Sequence, residues 1–176
     1  MMFCSGKSDK NFCKTIFRMP KKPSLVVELD NGVKIYQGNK LDAENVEYLQ
    51  KCDIKYVVNA TKHLENFGEN YNIEYYRVYI NDTVNDVFGQ KLNDVTKWLH
   101  DKICKKNGNV FIHCHAGISR SSTITLSYMM KYLGYSLENA FIHLRRGRNI
   151  VNPNSSFWKE LEGIDRENQK SKMCII

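Results

Sequence analysis

Apolar residues recur along this chain at two spacings, and the spacings alternate. Short β-branched or alternating runs predict strands at residues 25–29, 33–36, 54–58, 73–80 and 110–112. Helical spacing predicts 39–52, with Leu41, Val46, Leu49 and Cys52 turned inward, and 91–106, with Leu92, Val95, Leu99 and Ile103 on one stripe. Three more helices follow. One spans 121–133 and carries Ile124, Leu126, Tyr128, Met129 and Met130; the next spans 137–145; the last carries Phe157, Trp158, Leu161 and Ile164. The punctuation agrees. Asp30-Asn31-Gly32 turns the first two strands into a hairpin at the sheet edge, Gly134 stops a helix, and Ser136 and Asn154 cap the next two. The polar stretch 62–72, with Gly68, reads as a loop. Strands alternating with helices predict an α/β layer fold. Residues 1–23 read as a basic arm, 24–166 as one domain, and 167–176 as a frayed tail.

The junction at 110–122 carries the chemistry. A buried strand ends in His113-Cys114, five residues follow, and then Arg120-Ser121 opens a helix. A loop of that size before a helix N-terminus gathers the backbone N–H groups of 115–120 into one concavity, where the helix dipole adds positive potential. Arg120 adds a planar fork of donors suited to phosphate oxygens. Gly117 suits a tight turn that approaches a ligand closely. The same positive surroundings favour the thiolate form of Cys114, the form that attacks. Ser121 is placed to aim its hydroxyl at that sulfur. Adjacent residues of a strand point to opposite faces, so His113-Cys114-His115 is not read as a metal site; His113 is expected to hydrogen-bond the loop and tune Cys114.

Bulk properties narrow the class. The chain has 176 residues, 42% hydrophobic and 11% aromatic, enough for one globular core. No apolar run reaches a membrane span, and no secretory segment is seen at the start. Six cysteines are too sparse for a disulfide scaffold, and a nucleophilic cysteine needs a reducing compartment, so cytoplasm or nucleus is expected. Of the net charge of +7, the arm at 1–23 carries +5, which reads as a solvated tail. Gly6-Lys7-Ser8 lacks the remainder of a nucleotide-binding loop. Residue 2 is not glycine, which excludes N-myristoylation, and Cys174 stands one place too late for prenylation. Lys21-Lys22 before Leu25-Val26-Val27 has the form of a kinase-docking string, although the apolar part reads better as the first strand.

His113-Cys114-x-x-Gly117-x-x-Arg120-Ser121 resembles the signature of the cysteine-based protein phosphatases, and residues 25–165 resemble the dual-specificity family within them. The resemblance implies a twisted, mostly parallel central sheet of about five strands flanked by helices. It implies hydrolysis of phosphotyrosine, phosphoserine and phosphothreonine in proteins, a kinase activation loop among them, with no cofactor, metal or nucleic-acid partner. Cys114 would be the nucleophile, Arg120 and the amides of His115, Ala116, Gly117, Ile118 and Ser119 the phosphate cradle, and Ser121 the support for the leaving thiolate.

A departing alkoxide needs a proton, so an acid must face the cup. Asp82 and Asp86 lie in the polar segment 81–86 after a strand, where α/β sheets bind ligands. Asp82, immediately beyond the strand, is preferred. Its spacing from Cys114 matches the acid loop of the dual-specificity family. Asn152 is expected to brace the phosphate loop from behind. Arg145, Arg146 and Arg148 are expected to meet an acidic or doubly phosphorylated substrate or to stand in solvent. Gln37, where relatives often have an apolar residue, is expected to alter edge packing only. Other outcomes of the same fold are an RNA 5′-triphosphatase, a phosphoinositide phosphatase, or a non-catalytic phosphate-binding module.

Overall fold

A computed structural model describes residues 22–105 and 108–173; most of the basic arm and the end of the tail lie outside them. Among the described residues the strands are β1 (Ser24–Glu28), β2 (Lys34–Gly38), β3 (Ile54–Asn59), β4 (Glu74–Arg77) and β5 (Asn109–His113). The helices are α1 (Lys40–Glu44), α2 (Val46–Lys51), α3 (Gln90–Cys104), α4 (Arg120–Tyr132), α5 (Leu137–Gly147) and α6 (Ser155–Met173). The strands form one sheet in the order β1-β2-β5-β3-β4. Only β1 and β2 pair antiparallel; β2–β5, β5–β3 and β3–β4 are parallel. The mostly parallel α/β sheet expected from the sequence is the one observed.

Strand alternation divides the core in two. Ile35, Tyr56, Val58, Val110 and Ile112 face α3 to α6, packing on Leu92, Val95, Leu99, Ile124, Leu126, Leu144 and Phe157. Val57 and Phe111 face the other way, onto Ala43 and Leu49 of α1 and α2. Helix α4 runs through the larger core with every residue from Ser121 to Met130 buried. Its hydroxyls survive burial because most find nearby acceptors: Thr123 Oγ1 donates to Ser119 O (3.0 Å) and Thr125 Oγ1 to Ser121 O (3.0 Å). Among the described residues no helix is long and apolar enough to cross a membrane.

Three sequence expectations are corrected. The helix expected at 39–52 is two short ones, because asparagines compete for the backbone. Asn39 forms a reciprocal capping box with Asp42, and Asn45 ends α1 and accepts from Tyr48 N (3.1 Å) to start α2. The break turns Leu41 outward, 69% exposed, and puts Asp42 and Ala43 inside. The strand expected at 73–80 is only Glu74–Arg77, although Ile73, Val78 and Ile80 stay buried. The tail expected to fray from 167 stays helical to Met173. Side chains hold it: Asp165 Oδ1 accepts from Leu137 N (3.0 Å), and Asn168 Nδ2 donates to Met130 O (3.3 Å).

Gly134 ends α4 at φ +73°, with nothing near the position a Cβ would take. Its role is therefore backbone conformation alone. Gly134→Ala should lower the unfolding free energy in urea by about 1 kcal/mol; an unchanged or raised value would contradict this.

Candidate active site

The site forms where β5 runs into α4, at the carboxyl edge of the sheet. Its central feature is how the loop carbonyls are held. His115 O accepts from Lys40 N (3.0 Å), at the start of α1. Ala116 O accepts from Arg148 Nη2 (3.5 Å), and Gly117 O from Arg148 Nε (2.8 Å) and Gln37 Nε2 (3.4 Å). Ile118 O accepts from Asn152 N (2.9 Å) and Ser122 Oγ (2.6 Å), and Ser119 O from Thr123 N (2.9 Å). In a trans peptide the N–H points opposite the C=O. With five successive carbonyls held on the outside, the N–H groups of Ala116 to Arg120 are turned inward.

The sulfur of Cys114, fully buried, lies at the bottom. Gly117 N–H points at Sγ (3.2 Å), and Ser121 Oγ is 3.4 Å from it. Gly117 adopts φ +67°, and a Cβ there would meet Gly38 O and Arg148 Nη2 at 2.5 Å, so the turn requires glycine. Ser119 occupies the N-cap position of α4 but makes no side-chain cap. Its hydroxyl donates instead to Asp82 Oδ1 (2.7 Å). Among the described residues the first amides of α4 are thus left without a side-chain cap, as an anion site requires.

Arg120 and Asp82 meet at the rim. Arg120 Nη1 donates to Ile80 O (3.3 Å), and Nε lies 3.5 Å from Asp82 Oδ2. Asp82 Oδ1 also accepts from Asn154 Nδ2 (2.9 Å). Asp86 is turned into its own loop, accepting from Thr83 Oγ1 (2.5 Å) and Asn81 Nδ2 (3.4 Å), which hold its carboxyl below the usual range. Of the two aspartates, only Asp82 touches the arginine. Cys114, Ser121, Arg120 and Asp82, separated by up to 39 positions, are brought to one crevice.

Three expectations change, and a fourth, the bracing by Asn152, is met through the backbone. His113 makes no well-aligned hydrogen bond to the loop, only a looser contact with the Cys114 backbone. It shares a sheet face with Phe111, stacked at 5.5 Å, and among the described residues neither ring nitrogen has a well-aligned partner. Burial above all pushes its pKa down to about 4; contact with the Cys114 backbone opposes this, and Arg77 and Arg120 reinforce it. Asn152 braces the loop through its backbone N–H, and the residue itself is exposed. Arg148 does not meet substrate or solvent. It is 1% exposed beneath the loop, with its Nη1 on Ser24 Oγ (3.2 Å), while Arg145 and Arg146 are exposed. Gln37 is no edge residue, since β2 lies inside the sheet. It donates to Ser122 Oγ (2.8 Å) and accepts from Thr125 Oγ1 (3.0 Å).

Asn154 was legible in the sequence only as a cap, which it is, its Oδ1 accepting from Ser156 N (3.0 Å) and Phe157 N (3.1 Å). Its second role shows only in three dimensions. Gln37 carried the one available signal: a polar residue at an interior strand position has to find buried partners.

The chain matches the dual specificity phosphatase catalytic domain family over residues 35–167. It belongs to the dual specificity phosphatase family. It is 32% identical to human dual specificity protein phosphatase 9 over 133 residues, covering 75% of this chain and 34% of that protein. It is 31% identical to human dual specificity protein phosphatase 6 over 154 residues, covering 87% of this chain and 40% of that one. The chain thus spans well under half the length of these curated relatives. The crystal structure of human DUSP28 superposes with a TM-score of 0.75 at 22% identity, covering 86% of this chain and 99% of that one, which shows the shared fold.

The buried His113 makes acid stability testable. Its folded pKa, about 4, lies below the ordinary 6.5, so the unfolded chain binds the proton more readily in between. The stability it contributes is complete above pH 6.5 and is lost as pH falls toward 4, by at most about 3 kcal/mol. Urea unfolding across this window should show a slope that His113→Gln flattens; an equal slope in both proteins would refute the assignment.

Proposed function

We propose that this chain is a cysteine-dependent phosphatase acting on phosphotyrosine and phosphoserine or phosphothreonine in proteins. The observation that carries the reading is the inward-turned set of amides above the Cys114 sulfur, held by donors on every loop carbonyl from His115 to Ser119. Such a cradle matches the equatorial oxygens of a phosphoryl group in transfer. Membership of the dual specificity phosphatase family, and the names of the relatives, support the same substrate class.

In the first step the Cys114 thiolate attacks phosphorus in line. An S–P bond forms as the P–O bond to the side chain breaks, and Asp82 gives its proton to the departing oxygen. Arg120 and the amides hold the three equatorial oxygens as their charge rises. In the second step Asp82 takes a proton from water, whose oxygen attacks phosphorus. The S–P bond breaks, inorganic phosphate leaves, and Ser121 stabilises the released thiolate at the 3.4 Å contact. An incoming phosphoryl group takes the place beside Arg120 where Asp82 Oδ2 lies 3.5 Å from Nε.

The rim favours protein substrates. The loop positions His115, Ala116, Ile118 and Ser119 add no lysine to the cup. The acid-loop side presents exposed Tyr79, Val84 and Val87, surfaces suited to the residues around a phosphorylated side chain.

The test is turnover by the purified chain. It should hydrolyse an aryl phosphate and phosphopeptides in the presence of chelator, be blocked by vanadate, and prefer these over RNA 5′-triphosphate and phosphoinositides. Cys114→Ser should abolish turnover while keeping phosphate binding; full activity in that variant would falsify the reading. Asp82→Ala should lose roughly 10²–10⁴ in rate. A larger loss in Asp86→Ala would instead move the acid to that residue.

A further inference from the structure

We propose that α6 clamps the loop bearing Asp82, with Asn154 and Glu160 as positioning residues that hold residues 81–89 over the cup before substrate arrives. The proposal rests on reading Asp82 as the proton donor.

The loop's own bonds gather about Thr83 and Asp86 and leave Asp82 to be held from outside. Residues 82–85 and 87 are exposed, with Val84 at 65% and Val87 at 58%. It is tied down at its two ends, at one by Asn154, the residue that caps α6, together with Ser119, and at the other by Glu160 within α6. At the near end Asn154 uses every polar group it has. Its Oδ1 caps α6, which leaves Nδ2 to donate to Asp82 Oδ1 (2.9 Å) and Thr83 O (3.4 Å). Its backbone N–H donates to Ser119 Oγ (3.0 Å), so that this hydroxyl turns its own proton to Asp82 Oδ1.

At the far end the Glu160 carboxylate takes Phe88 N (2.8 Å) on one oxygen and Gly89 N (2.7 Å) on the other. These amides stand just before α3, with Gly89 at its N-cap, where a carboxylate is favoured both by charge-assisted bonding and by the helix dipole. The Phe157 ring packs on Phe88 with centroids 4.7 Å apart, between the two polar holds.

The arrangement divides the work of Asp82 between its oxygens. Oδ1 is held by two donors, whereas among the described residues Oδ2 has only the 3.5 Å approach to Arg120. When a phosphoryl group takes Arg120, Oδ2 is released and Oδ1 stays held. The acid is then already beside the leaving oxygen, with no loop closure needed first.

The experiment compares two aryl phosphates. 2,4-Dinitrophenol departs without a proton, whereas phenol needs one. In Asn154→Ser, which keeps a capping oxygen, and in Glu160→Gln, the ratio of kcat/KM for dinitrophenyl over phenyl phosphate should rise about tenfold. A merely structural lesion lowers both rates together, and that result, or an unchanged ratio, would overturn the clamp. If the wild-type chain hydrolyses neither ester, the phosphatase reading fails, and the clamp is judged by amide hydrogen exchange. Exchange at Phe88 and Gly89 should then be about tenfold faster in Glu160→Gln, because a neutral amide holds the pair less well; equal exchange would overturn it.

Discussion

The structure depends on one constraint: a loop of five residues cannot point its amides inward unless something takes its carbonyls outward. Each peptide plane has both groups, and the carbonyls are strong acceptors that cannot be buried alone. Here the donors come from five places in the chain. They are the first amide of α1, Gln37 on β2, Ser122 and Thr123 on α4, Arg148 after α5, and the amide of Asn152. The cup is thus a product of the whole fold rather than of the signature residues.

Arg148 is the demanding member of that set. A guanidinium at 1% exposure carries a desolvation cost, and burial holds its pKa below the ordinary value. Asp42 and the Cys114 sulfur offset the charge. Asp42 is itself buried, and its pKa is raised mainly by that burial and lowered by the Asn39 amide and Arg148. What an arginine offers in return is a fork that reaches two successive carbonyls, Gly117 O and Ala116 O, while Nη1 ties the loop to Ser24 at the start of β1. A point charge such as lysine would not hold two peptide planes at fixed angles.

Much of this was readable in advance. Strand alternation and helical spacing located the sheet, the buried α4 and the stop at Gly134, since these depend on local periodicity and backbone conformation. The Cys114–Arg120 spacing located the cup, because a strand, loop and helix N-terminus form one local unit. The failures share a cause. Arg148 in a run of basic residues looks solvated, and nothing local says that a carbonyl 31 positions earlier needs it. Gln37 looks like an edge variation until β2 is found between β1 and β5. Leu41 fits a helical stripe until Asn45 interrupts the helix. Each depends on a long-range partner or on a competition between caps, which spacing does not record.

The most direct measurement is a titration of ¹⁵N-labelled Cys114→Ser protein with tungstate or phosphate, followed by amide shifts. The account predicts that the resonances of residues 116–120 move together with one affinity, and that Arg148→Met in the same background weakens that affinity while leaving the fold intact. Shifts scattered over the surface, or silent amides at 116–120, would contradict the claim that these groups converge on a single oxyanion.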